Sequence, residues 1–304
     1  MTAVARRPAA RRGGGPLGGE GRWALLFLAP TLLGLAVLSA GPILATLAIS
    51  LTQWDLLRAP RFVGIDNFVQ LASDDRFLKA LRNTAFYTVT SVPLGMAIAL
   101  FLALALNQTI RGIAWIRTAY FLPVVTSTIA IALVWQWIYS PESGLLNQFI
   151  GLFGIEPQRW LNDPTLAMPA IVAMSVWQGL GTDVIIFLAG LQAIPTELLD
   201  AASVDGAGRW ARFRSIVLPL LTPSIFFTGV LSLIDSFQVF DQIFVLQRPR
   251  PTDATITVVY FIYENGFKFF KMGYATAASW ILFVIVAFLT TIYFRSQNRW
   301  VHYQ

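Results

Sequence analysis

The chain has 304 residues, 56% of them hydrophobic and 12% charged, with a net charge of +6. Soluble domains carry about twice that share of charge, so this is the composition of a membrane protein. Cysteine is absent and the single histidine, His302, is third from the end, which excludes disulfides and thiolate metal sites and leaves no catalytic or metal-binding set to pursue.

The first 22 residues carry Arg6, Arg7, Arg11, Arg12 and Arg22 against Glu20, with six glycines between them. They read as a disordered basic cytoplasmic tail that fixes topology, and nucleic-acid or lipid recognition is the weaker alternative. The apolar run that follows continues through Leu51, too long for the core of a cleaved signal, so a retained first span is expected. A bilayer core of ~30 Å needs about 20 residues of helix. Six stretches qualify, near 23–51, 83–106, 119–139, 165–191, 216–240 and 274–294. The expected fold is an all-α integral membrane domain of six transmembrane helices over 23–294, with 295–304 as a short cytoplasmic tail. An even number of spans puts both termini on one side. The segments on the side of the Arg-rich tail hold twelve Lys and Arg against ten on the other, so that side is read as cytoplasmic.

Between the fourth and fifth spans lies a polar segment, residues 195–219, reading PTELLDAASVDGAGRWARFRSIVLP. Pro195 stops the fourth span, Thr196 is the expected N-cap, and Glu197 suits the first turn beside the helix dipole. Gly206 permits a backbone turn closed to most residues. A second short helix, Arg209 to Ser215, is expected before the next span. Two short helices joined by a fixed turn make an element that moves rigidly and pushes on both flanking spans. Spacing alone is equally compatible with an ordinary amphipathic helix at the membrane surface.

Asp200-Ala201-Ala202, then Gly206, then Ile216, Leu218 and Pro219 resemble the signature loop of the membrane subunits of ABC importers. That pattern is E-A-A, three residues to a glycine, and nine more to I-x-L-P. Asp200 replaces its glutamate, keeping the carboxylate on a shorter arm. FVGIDNF at 62–68, RTAYFLPVVTS at 117–127 and SGLLNQ at 143–148 are similar to the carbohydrate and glycerol-3-phosphate branch of those permeases, as is the opening span. The QRPRP at 247–251 departs from that branch, which is Gly-rich there. The resemblance implies that Glu197, Asp200, Ala201, Ala202, Gly206, Ile216, Leu218 and Pro219 form a cytoplasmic coupling loop touched by an ATPase. It implies a second permease subunit, two ATPase subunits that hold ATP and Mg, and an extracytoplasmic solute-binding protein. It also places the chain in the cytoplasmic membrane of a bacterium or archaeon. The chain itself lacks the G-x-x-x-x-G-K-[ST] phosphate loop, so no cofactor and no ATP hydrolysis are assigned to it.

An aspartate at bilayer depth costs ~2.5–3.5 kcal/mol on insertion scales and needs a reason. Ser175, Gln178, Gly179 and Thr182 mark one face of the fourth span, and Asp235, Gln238 and Gln242 one face of the fifth. These faces are expected to line a solute passage, with Trp177, Phe237 and Phe240 stacking on sugar C–H faces. Asp183 falls off the first face by spacing and reads as a packing or interfacial group. Polar residues that merely join helices are the bland alternative. The implied cargo is a sugar or related polyol, with a non-sugar solute such as a glycerophosphodiester as the other ABC-type reading. An ion-gradient transporter would show inverted repeats, and an integral-membrane enzyme a cluster of catalytic side chains at one depth; neither is visible.

Overall fold

The computed structural model describes residues 19–108, 113–247 and 252–302. Most of the basic tail and the 248–251 stretch lie outside them. Among the described residues, five helices are long and apolar enough to cross a bilayer, and one bent pair adds a sixth if counted as a span.

Helix α1 (Gly19–Leu35) passes through a wide π-type turn at Ala36–Ala40 into α2 (Gly41–Ser50). Its apolar side chains face outward, with Phe27 and Leu38 each 77% exposed, as lipid or a neighbouring subunit would require. Strands β1 (Thr52–Gln53) and β2 (Arg61–Phe62) pair antiparallel beyond it, Thr52 opposite Phe62. Short α3 (Asp66–Ala72) is tied to that hairpin by Asn67, whose Nδ2 donates to the Ser50 and Thr52 carbonyls at 2.8 and 2.9 Å. Helix α4 (Asp75–Leu106) starts eight residues before the expected 83, because Asp74 caps it by accepting from the Arg76 and Phe77 amides.

The expected third span, 119–139, is broken. Helices α5 (Ile113–Val125) and α6 (Thr128–Ile138) meet at 108° between their described parts, and Ser127 adopts extended ψ 129 at the break. Pro123 removes one ladder bond just upstream, and the Thr126 hydroxyl bonds back to the Leu122 carbonyl at 2.9 Å. Short α7 (Leu145–Gly151) follows, and Asn147 organises its loop. Asn147 donates to the Ser140, Pro141 and Gln158 carbonyls and accepts from the Gln158 amide and Trp160 Nε1.

Helix α8 (Ala167–Gln192) is the centre of the bundle, packed on α4, α5 and α11 (Leu218–Phe237). Close approach is possible because small residues lie at the contacts, as in membrane bundles generally. Gly95, Ala99 and Ala103 recur every fourth residue on α4 and are buried, with Gly95 facing Val176 and Asp183. Gly181 lies against Tyr120 and Val124 of α5, and Gly190 against Leu221 and Ser224 of α11.

Two helices join α8 to α11: α9 (Thr196–Val204) and α10 (Arg209–Arg212). The cap before α9 is Pro195, with no side-chain cap, rather than Thr196, which is already helical. The second elbow helix does not end at Ser215. It runs through a wide turn at Phe213–Val217 straight into α11, so Arg209–Phe237 is one continuous rod. That rod stops at Phe237, three residues short of the expected end, and α12 (Asp241–Leu246) packs against α6. Helix α13 (Val258–Tyr263) and a wide turn at Glu264–Lys268 lead to α14 (Met272–Trp300).

The presumed tail at 295–304 is therefore helical through Trp300. Phe226 of α11 stacks on Tyr293 with centroids 5.1 Å apart, Trp300 closes the cluster, and the His302 amide donates to Thr222 Oγ1 at 2.9 Å. At the other end of the bundle, Arg76 pairs with buried Glu264 at 2.7 Å and the Tyr274 hydroxyl donates to Asp74 at 2.6 Å.

Candidate functional site

The elbow owes its shape to a glycine. Gly206 has φ +81, the left-handed region closed to most residues. Its amide donates to the Ser203 carbonyl at 3.1 Å and the Ala207 amide to the Ala202 carbonyl at 2.8 Å. Those two bonds are the Schellman closure of a helix C-terminus, in which the carbonyl four positions before the glycine accepts from the amide after it. The position of Gly206 at the end of α9 thus follows from backbone geometry. Arg212 Nη1 then donates to Ser203 Oγ at 2.7 Å, bracing α10 against α9. No residue of α9 or α10 is buried, and Leu198, Val204 and Trp210 are 46%, 88% and 70% exposed. Apolar surface is thus left open on a braced element. Glu197, Asp200 and Ala201 are exposed on this helix, while Ile216, Leu218 and Pro219 lie half-buried where the rod enters the bundle.

The elbow connects the two helices that enclose a polar cleft. Two adjoining cavities of about 500 and 340 Å³ share Tyr87, Ser175, Gly179, Thr182, Asp235 and Gln238. Gln178, Gln242 and Phe240 line the smaller one and Asp183 the larger. Gln178 Nε2 donates to Thr128 Oγ1 at 2.9 Å, tying α8 to the first residue of α6 at the broken span. The Gln238 amide donates to the Asp235 carbonyl at 2.9 Å and ends α11, which turns Gln238 into the opening.

Eight of the ten residues expected at a passage are therefore brought together. Trp177 and Phe237 are not among them. Each lies two positions from a lining residue, about 200° around the helix. Trp177 meets Trp135 at 5.5 Å between centroids, and Phe237 is buried in the core. Phe240 reaches the cleft but is committed to a cluster with Phe244, Tyr260 and Tyr263. Asp183, set aside by spacing, lines the larger cavity because the groove spans the width between α8 and α4. Sequence reasoning missed the α4 wall, Tyr87, Ser91 and Gly95, and Asp241 at the start of α12. Tyr87, Ser91 and Gly95 recur every fourth residue, in line with Ala99 and Ala103, so a helical stripe in the second span was the signal that could have found this wall.

A third cavity, about 640 Å³, opens at the end opposite the elbow and has a charged lining that includes Asp55, Arg58, Arg61 and Lys271. The Arg58 amide, followed by that of Leu57, holds the Asp55 carboxyl below its usual range by donating to it at 2.9 and 3.1 Å.

Residues 91–302 match the family described as the inner membrane component of binding-protein-dependent transport systems. The Probable ABC transporter permease protein YesP of Bacillus subtilis (strain 168) is 37% identical over 283 residues, 91% of each chain. The lactose transport system permease protein LacF of Rhizobium radiobacter is 34% identical, covering 88% of this chain and 92% of that one. The crystal structure of a bacterial ABC transporter that imports the acidic polysaccharide alginate aligns with TM-score 0.81 at 25% identity, covering 92% of this chain and 96% of that one. A bacterial alginate ABC transporter in complex with its pentasaccharide-bound periplasmic protein aligns at 0.82. With a braced elbow, a polar cleft between the helices it joins, and this agreement over most of its length, the chain belongs to the membrane permease subunits of binding-protein-dependent ABC importers.

Proposed function

We propose that this chain is one membrane half of an importer for a sugar or related polyol in the cytoplasmic membrane, with both termini and the elbow on the cytoplasmic side. The observation that carries the reading is connectivity. The 196–212 elbow joins the two helices, α8 and α11, whose polar residues face each other across the cleft. Any push on the elbow moves both walls. A second permease subunit completes the passage, two ATPase subunits holding ATP and Mg seat on the exposed α9 surface, and an extracytoplasmic binding protein delivers solute at the charged end. The alginate structures support the cargo class and the binding protein, and LacF supports a saccharide. Sugar hydroxyls pair with the amides and carboxylates of the cleft.

Closing the ATPases on ATP swings the elbow and switches the cleft from inward to outward facing, and hydrolysis in the partners resets it. The test is reconstitution of the assembled transporter in liposomes. Solute uptake should require the ATPases and should fall with Gly206→Val, whose branched side chain resists the left-handed turn. Uptake unaffected by either change would refute the mechanism.

A further inference from the structure

We propose that the solute passing this chain is a polyhydroxy compound that bears no phosphate or carboxylate. The inference rests on the reading of the cleft as the passage. Among the described lining residues of its two cavities stand three carboxylates, Asp183, Asp235 and Asp241, and no Lys, Arg or His. The other polar lining groups are hydroxyls and amides. Ser175 Oγ is buried in the lining and faces the Tyr87 hydroxyl. Tyr87, only 5% exposed, lines both cavities beside it.

Hydroxyls of that compound donate to such carboxylates in charge-assisted bonds and accept from the amides and Ser175. A phosphate or carboxylate offers only acceptors to these three groups and meets their field in a low-dielectric channel, where repulsion is poorly screened. The relative that carries the acidic polysaccharide alginate thus shares the fold, while this half of the passage suits a different charge class.

The absence of cysteine makes the field of the cleft directly measurable. A Cβ at Gly179 meets no atom within 4 Å, so Gly179→Cys places a thiol in the cleft without displacing a neighbour. The variant is assembled with its partner subunits in nanodiscs, where both faces are open to reagent. It is treated under ATP turnover with a trimethylammonium-bearing or a sulfonate-bearing methanethiosulfonate, and labelling is read from the mass of this chain. Each rate ratio is divided by the same ratio for a small free thiol. Clefts lined by one charge sign concentrate counter-ions by 10-fold or more, so a normalised preference of at least about tenfold for the cationic reagent is expected. It should fall toward one when Asp183→Asn, Asp235→Asn and Asp241→Asn are added. A normalised ratio of one or below, or a preference that survives all three substitutions, overturns the charge inference alone. No labelling by either reagent overturns the passage reading and this inference with it.

Discussion

The elbow offers a test in which sterics and backbone strain separate cleanly. At Gly206, φ is +81 and a Cβ would find no atom within 4 Å. A side chain there clashes with nothing in this chain, so the penalty of substitution lies in the backbone. Left-handed geometry costs an ordinary L-residue roughly 1–2 kcal/mol, less for Asn and more for a β-branched residue. That is a shift of about 5–30-fold in the population of the closed elbow. The expected order of binding-protein-stimulated ATP hydrolysis and of uptake in liposomes is Gly, Asn, Ala, Val. Gly206→Ala should lose about 5–30-fold where the closed elbow is required. Thermal stability should barely change along the series, because α9 and α10 bury nothing in this chain. A flat series would refute the strain argument. A Gly206→Asn variant as poor as Gly206→Val would also refute it, and would indicate that the ATPase surface tolerates no side chain there.

Two further substitutions probe the end opposite the elbow. Arg76→Ala removes the partner of Glu264, whose side chain is 3% exposed. The stranded carboxylate should cost roughly 1–3 kcal/mol of thermal stability in detergent, and Glu264→Gln in the same background should recover part of it. Asn147→Ala removes two acceptor and three donor contacts from the 140–160 loop. Limited proteolysis should then cut between 140 and 160 faster, while the spans remain protected.

Much of this arrangement is legible in the residues, and what is not has identifiable causes. Span length follows from apolar run length, so five long helices fall where they are expected. The broken third span does not declare itself by charge, because the run from Tyr120 to Ile138 carries none and Pro123 is compatible with a simple kink; the polar Thr126-Ser127-Thr128 at the break was the available signal. The elbow is readable because Gly206 stands where a helix C-terminus takes a left-handed residue. Helical spacing found Ser175, Gln178, Gly179 and Thr182 as one wall of the cleft. Assigning Trp177 and Phe237 to the same walls failed for the same geometric reason, since two positions along a helix is nearly the opposite side. Stretches that carried the family resemblance acquire physical reasons. Asn67 within 62–68 pins the β-hairpin, Tyr120 and Val124 within 117–127 receive Gly181, and Asn147 within 143–148 holds its loop.

For a push on the elbow to reach the cleft, α8 and α11 must move together. The residues lining the cleft lie roughly 15–25 Å from the elbow end of α8 and roughly 30–40 Å from Arg212 along the rod that holds α11, at about 1.5 Å per residue. On α11 the path includes a wide turn at Phe213–Val217 and Pro223, both points where a helix bends. A pushed α11 would flex unless α8 supported it close to the elbow. That support is at Gly190, where an added Cβ would overlap the Ser224 hydroxyl and lie 2.7 Å from Leu221 Cδ1. Gly190→Ala should therefore pry the pair apart, at a cost of about 1–3 kcal/mol for overpacking. The elbow surface is untouched, so ATPase binding should persist. The expected signature is ATP hydrolysis no longer matched by uptake, with coupling restored when Ser224→Gly makes room. If Gly190→Ala lowers hydrolysis and uptake in proportion, or if Ser224→Gly restores neither, then the helices transmit motion independently and the paired-rod argument fails.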